Sequence, residues 1–249
     1  MGYFIGALRT TGIFFMDNPF FYEVGAEAFK TNMSSSDIKL NGIYLPESII
    51  YIRDSAFNGV QGLEHVSEQY AKDGIVGHLG DNLVDIGTRA FYDTKNLYVT
   101  NLPSKLTVIK DSSFYGAGKN VTLSTLPDNI TKIEMAAFMQ CPNVQITNFG
   151  KQANEIGSSS GLRHIGAYAF ANAGLTGAHS SINSIFIWDT VTSIEAGAFT
   201  SYGSHTGQTS NVTAYTSFTE APVEWTDVAI NGPSALGLAN IEYNYTGEV

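Results

Sequence analysis

Ile133-Glu-Met-Ala-Ala137-Phe138 sits near the middle of the chain, and six near-copies of it surround it. They are Val24-Gly-Ala-Glu-Ala28-Phe29, Ile52-Arg-Asp-Ser-Ala56-Phe57, Ile86-Gly-Thr-Arg-Ala90-Phe91, Ile109-Lys-Asp-Ser-Ser113-Phe114, Ile165-Gly-Ala-Tyr-Ala169-Phe170 and Ile194-Glu-Ala-Gly-Ala198-Phe199. Successive Phe residues lie 28, 34, 23, 24, 32 and 29 positions apart. The basic unit is therefore about 23 residues, and the longer steps carry insertions. A recurring unit of this length is the mark of a solenoid, in which each coil rests on its neighbours.

A second block precedes the unit. It reads Leu45-Pro46-x-x-Ile49-x-x-Ile52, Leu102-Pro103-x-x-Leu106-x-x-Ile109 and Leu126-Pro127-x-x-Ile130-x-x-Ile133, with weaker copies leading to Ile86 and Ile194. Further upstream, Leu97-x-Val99-x-x-Leu102, Val121-x-Leu123-x-x-Leu126 and Val144-x-Ile146-x-x-Phe149 alternate as a half-buried strand does. Pro ends such a strand because it has no N–H for the next ladder bond. One unit alone cannot bury its apolar face. Stacked units line up Leu, Ile and Phe into a common core, each buried side chain contributing roughly 1.5–3 kcal/mol. The Ala beside each Phe is small because the backbone of the adjoining coil must pass close to it.

The combined pattern, L-x-x-x-x-L-P-x-x-hydrophobic-x-x-I-x-x-x-A-F, resembles the BspA-like leucine-rich repeats of bacterial surface antigens, over roughly residues 13–215. Ordinary leucine-rich repeats carry an Asn rather than Ala-Phe. The resemblance implies a β-rich leucine-rich-repeat solenoid, right-handed and curved, with short strands joined by turns and short helical or 3-10 segments. It also implies a place at the cell surface and a role in adhesion or protein–protein interaction. The family often has Cys three residues after the Phe. Only Cys141 matches here, and it is expected to be a packed thiol rather than a nucleophile.

Composition narrows the function classes. Charged residues make up only 14% of the chain, against about 25% in ordinary soluble domains. The net charge is −10 and the 13 Lys and Arg are scattered, so nucleic acid and anionic membrane are not expected partners. No apolar run approaches the ~20 residues of a membrane span, and membrane insertion is not expected. One cysteine rules out an intrachain disulfide framework. The N-terminal run is broken by Arg9 and lacks a basic lead, so it does not read as a secretory signal; the expectation is a fragment of a longer protein.

Three regions are expected: residues 1–23 as a partial N-terminal repeat or cap, 24–211 as the solenoid of about seven coils, and 212–249 as a C-terminal cap with Trp225 over the last coil. Ile13-Phe-Phe-Met16 reads as a strand of an incomplete first coil. Insertions near 67–77, 151–160, 174–181 and 202–211 are rich in Gly, Ser, His and Asn, as surface loops are.

No catalytic, cofactor-binding or metal-binding set emerges. The five histidines, His65, His78, His164, His179 and His205, show no metal-ligand spacing, and His164 reads as a surface residue. Gly157-Ser-Ser-Ser-Gly161 matches Gly-x-Ser-x-Gly, but lies in a Ser-rich insertion and not between a strand and a helix. Five Asn-x-Ser/Thr sites, at Asn32, Asn120, Asn129, Asn211 and Asn244, are weak evidence of glycosylation in so Ser- and Thr-rich a chain.

What remains is the outward side of the strands. Tyr44, Tyr98, Thr100, Asn101, Thr122, Ser124, Gln145, Thr147 and Phe186 are the candidate partner-binding residues, a neutral surface of hydroxyls and amides with a few exposed aromatics. A protein or a glycan is the expected partner. A spacer within a larger surface or fibre protein is the alternative, and a glycan-active enzyme a lesser one.

Overall fold

In the computed structural model the described residues are 12–15, 20–31, 40–66, 79–151, 161–174, 182–201, 210–226, 228 and 232–246. Their strands are β1 (Gly12–Phe14), β2 (Glu23–Val24), β3 (Gly42–Tyr44), β4 (Tyr51–Ile52), β5 (Asp85–Ile86), β6 (Val108–Ile109), β7 (Lys132–Ile133), β8 (Asn148–Phe149), β9 (His164–Ile165), β10 (Ser184–Ile187), β11 (Ser193–Ile194), β12 (Thr213–Thr216) and β13 (Asn240–Glu242). A short 3-10 helix spans Gly232–Leu236. Every strand pairing is parallel. This is a β-solenoid with almost no helix.

The Ile of each repeat unit forms one edge of the coil. It pairs across coils in the orders β2-β4-β5 and β6-β7-β9-β11, in strands two residues long. The alternating stretch upstream of Leu-Pro forms the other edge. There β1 pairs with β3, a single bridge joins Gly42 to His65 and another joins Val99 to Val121, and β8, β10, β12 and β13 complete the order. Backbone bonds keep this edge continuous where strands are not formally present: Tyr98 N–H to Glu64 O (2.9 Å), Gln145 N–H to Leu123 O (2.7 Å) and Phe186 N–H to Thr147 O (2.7 Å). Parallel pairing passes through β12 and β13, inside the segment read as a cap, and Trp225 is buried and bridges to Ile194.

The Ala-Phe pair explains itself in the turns. The Phe57 N–H donates to Ala90 O, Phe114 N–H to Ala137 O, Phe138 N–H to Ala169 O and Phe170 N–H to Ala198 O, at 2.8–3.0 Å. The Ala is thus the point where the neighbouring coil's backbone docks, and Ala56, Ala90, Ala137, Ala169 and Ala198 are fully buried. The residue before each Ala turns into the left-handed region: Glu27, Ser55, Arg89, Ser112, Ala136, Tyr168 and Gly197 have φ of 52–65°. That twist lets alternate N–H groups point to the next coil while the others close turns within their own coil.

The seven Phe rings form one stack along the core. Phe29, Phe57, Phe91, Phe114, Phe138, Phe170 and Phe199 follow one another with centroids 5.3–5.8 Å apart and planes within 24°. Offset ring pairs add about 0.5–1.5 kcal/mol each beyond the area they bury. Phe149 meets Phe170 and Phe199 edge-on.

The unit with Ser in place of Ala has a defect. The Ser113 hydroxyl is fully buried and has no hydrogen-bond partner among the described residues. An unsatisfied buried hydroxyl costs roughly 1–3 kcal/mol. Ser113→Ala restores the motif and is expected to raise stability by about 1–2 kcal/mol in urea unfolding; unchanged or lower stability would show that the hydroxyl is satisfied.

Of the four insertions only the flanks fall among the described residues. The Gly-x-Ser-x-Gly match lies outside them except for Gly161, as do His78, His179 and His205.

Candidate functional site

The outward side of the Leu-Pro edge is built by strict alternation. Leu97, Val99, Val121, Leu123, Val144 and Ile146 are buried. Between them Thr100, Thr122, Ser124 and Gln145 are exposed and Tyr98 and Thr147 are half-buried. Asn101 is also exposed. The Val99–Val121 bridge sets Thr100 beside Thr122, and the Gln145–Leu123 bond continues the row. Thr100, Asn101, Thr122, Ser124, Gln145 and Thr147 therefore occupy three adjoining coils as one neutral patch.

The aromatic candidates do not join that patch as a set. Tyr44 lies on β3 near the N-terminal end, Phe186 on β10 near the C-terminal end, and Tyr98 between them. Nor are they exposed, as the sequence suggested: all three are half-buried, because each ring lies against neighbours. The Tyr44 ring covers Gly42, where an added Cβ would come within 3.0 Å of the phenol oxygen. Tyr98 stacks on His65, centroids 5.5 Å apart.

Phe186 stands in a cluster that sequence reading missed. It stacks on Trp188 (5.7 Å, 9° between planes) and packs against Tyr215 (5.8 Å) and Tyr245 (5.4 Å). Tyr245 also meets Trp188 (6.0 Å) and Tyr215 (5.3 Å). The geometry follows from register. Phe186 pairs directly with Tyr215 in the parallel β10–β12 ladder, and Trp188 lies two residues on, hence on the same face. Tyr245 is fixed by its N–H bond to Thr216 O (2.9 Å). Beside the rings Asn183, Ser184, Asn211 and Thr213 line an open groove of about 610 Å³ with Phe186, Tyr215 and Tyr245. The i, i+2 spacing of Phe186 and Trp188 was the available signal; Tyr215 and Tyr245 needed the ladder to be continued past 212.

A hydroxyl, an imidazole and a carboxylate meet elsewhere, on β9, β11 and the residue that follows β11. His164 Nδ1 is 3.0 Å from Ser193 Oγ and Nε2 is 3.4 Å from Glu195. His164 is half-buried rather than a surface residue, and burial holds it below its ordinary pKa against the opposing pull of Glu195. Glu195 also accepts the Ala167 N–H at 2.9 Å. Glu134 does the same for Asp111 N–H (3.1 Å) and Asp54 for Thr88 N–H (2.9 Å). The repetition across coils identifies these carboxylates as ties between turns. Two glycosylation-type asparagines are ties as well: Asn129 donates to Ser104 O (2.8 Å) and Asn120 to Asn96 O (3.2 Å). Cys141 is fully buried, donates to Phe114 O (2.9 Å), and burial pushes its thiol up to about 12, which keeps it protonated and unreactive. Among the described residues no group of three or more His, Cys, Asp or Glu is placed to hold a metal, and no helix is long and apolar enough to cross a membrane.

The turn ladder, the Ala-Phe docking and the Phe stack agree with what comparison with known families finds. A model of the BspA type leucine rich repeat region matches six copies over residues 21–72 and 77–204. The chain belongs to the BspA type leucine-rich-repeat family. Among solved structures it is similar to a leucine-rich repeat protein from Bacteroides ovatus, with 20% identity and a TM-score of 0.56; the match covers 98% of this chain and 63% of that one. The BspA-type chain thus spans under two thirds of that protein. It also matches a leucine rich cell surface protein from Faecalibacterium prausnitzii with 16% identity and a TM-score of 0.37, over 96% of this chain and 89% of that one. No curated protein matches it.

Proposed function

We propose that this BspA-type chain is a non-enzymatic binding module of a surface-displayed protein, holding a protein or glycan partner against the outward side of the Leu-Pro edge. The observation that carries the reading is the patch of Thr100, Asn101, Thr122, Ser124, Gln145 and Thr147. It is neutral, mostly exposed, and spread over three coils that the core makes rigid. Asn129 and Glu195 tie neighbouring coils together, whereas the bond from Asn101 to Thr100 stays within one coil and is marginal at 3.5 Å. Such a surface binds through many modest contacts rather than a deep pocket. The surface address rests on the family's known setting.

The test is retention of purified matrix proteins and soluble polysaccharides on the immobilised full chain. Native protein is expected to hold at least one of them, and combined Thr122→Ala, Ser124→Ala and Gln145→Ala, all at exposed positions, to weaken that hold about tenfold, some 1.4 kcal/mol, with an unchanged melting temperature. No retention above that of an unrelated protein would remove the binding role and leave a spacer.

A further inference from the structure

Resting on that binding-module reading, we infer that the groove lined by Phe186, Tyr215 and Tyr245, with Trp188 stacked against Phe186 and Tyr245, is a distinct subsite for an uncharged oligosaccharide. Four rings joined by five close contacts give an aromatic cluster beside the groove whose shape is fixed before anything binds. The C–H face of a pyranose ring is apolar and slightly positive, and it lies flat against the negative face of such rings. Its equatorial hydroxyls need donors and acceptors at the edge of the platform. The groove supplies both in Asn183, Ser184, Asn211 and Thr213.

Charge selects the ligand class. The chain carries a net −10, yet none of the described residues lining the groove is charged. An acidic glycan would find no cation among those residues. Glu242, exposed and paired with Tyr215 in the same strand row, accepts a bond from the neutral amide of Asn240 (2.5 Å) and can accept from a sugar hydroxyl in the same way. Asp189, next to Trp188, accepts one from the Ser217 hydroxyl. A groove that is aromatic and hydroxyl-lined but uncharged fits a neutral sugar chain laid across the parallel strands. Arg, a usual anchor of protein interfaces, does not occur among the described residues of its lining.

Affinity electrophoresis of the full chain through gels containing a β-glucan, a xylan, a galactomannan or a starch tests this directly. Retardation is expected in at least one, together with a change in tryptophan emission. Trp188 is half-buried in the cluster while Trp225 is 1% exposed in the core, so the change reports the groove. Tyr215→Ala and Trp188→Ala are expected to reduce retardation tenfold or more. Because they could loosen the cluster, Asn211→Ala, at an exposed position, serves as the milder variant, expected to weaken retardation severalfold without moving the melting temperature. Absence of retardation in all four gels, or retardation that none of these variants alters, overturns the proposal. If the groove variants instead abolish retention of a matrix protein, the groove is a protein site: the sugar assignment falls and the binding-module reading stands. If the native chain holds neither polysaccharide nor protein, both fall.

Discussion

Phe114→Ala lowers the free energy of unfolding by roughly 3–5 kcal/mol, read as a shift in urea midpoint. The ring is fully buried and stacks on Phe91 at 5.4 Å and on Phe138 at 5.6 Å, so its removal breaks two contacts and opens a gap at the centre of the stack. The surroundings have little room to collapse into that gap. Phe114 N–H is tied to Ala137 O, and Cys141 Sγ donates to Phe114 O, which fixes the backbone on both sides. Against a total stability of about 5–15 kcal/mol for ordinary domains, such a loss is large. A change under about 1 kcal/mol, which is the size of an ordinary surface substitution or less, would mean that the rings do not form a packed spine.

Gly118→Ala is expected to cost about 3 kcal/mol or more, for a different reason. Gly118 has φ of +89°, and a Cβ there would lie 1.9 Å from the Lys95 carbonyl oxygen and 2.6 Å from its carbon, backbone atoms of the preceding coil. Neither can move without separating the coils. Gly80→Ala is the control. Its φ is +99°, but none of the described residues comes within 4 Å of an added Cβ, so it carries the conformational penalty alone, roughly 1–2 kcal/mol. Thermal unfolding of the two variants separates the terms. Equal losses would show that contact between coils contributes nothing at Gly118.

The scaffold was legible because its signal is apolar and periodic. Ile52, Ala56 and Phe57 recur in six more units, changed only by Val24 and Ser113, and state both what is buried and where the coils touch. The left-handed turns were not legible. Their seven positions hold Glu27, Ser55, Arg89, Ser112, Ala136, Tyr168 and Gly197, and only the last is the residue type such a φ favours. The ladder between coils over-determines the backbone there, so the side chain is free to vary and leaves no pattern to read. Unlike the turns, the strand face was readable in part. Alternation placed Thr100, Thr122 and Gln145 outward, because period two needs only local sequence. What it could not supply was which aromatic rings meet. Phe186 and Tyr215 come together through ladder register between residues 29 apart, and Tyr245 comes from beyond β13, where the repeat unit is no longer written in the sequence. His164 looked exposed for the same reason: its partners Ser193 and Glu195 belong to the next coil.

The stack itself is best probed by a double-mutant cycle in which Phe114→Ala is combined with Phe138→Ala and, separately, with Phe199→Ala. In a solenoid each coil contacts only its neighbours, so adjoining rings couple and distant ones do not. The Phe114/Phe138 pair is expected to show an interaction energy above about 0.5 kcal/mol, and the Phe114/Phe199 pair a value within about 0.5 kcal/mol of zero. Coupling of similar size in both pairs, or none between Phe114 and Phe138, would contradict a core built from stacked coils.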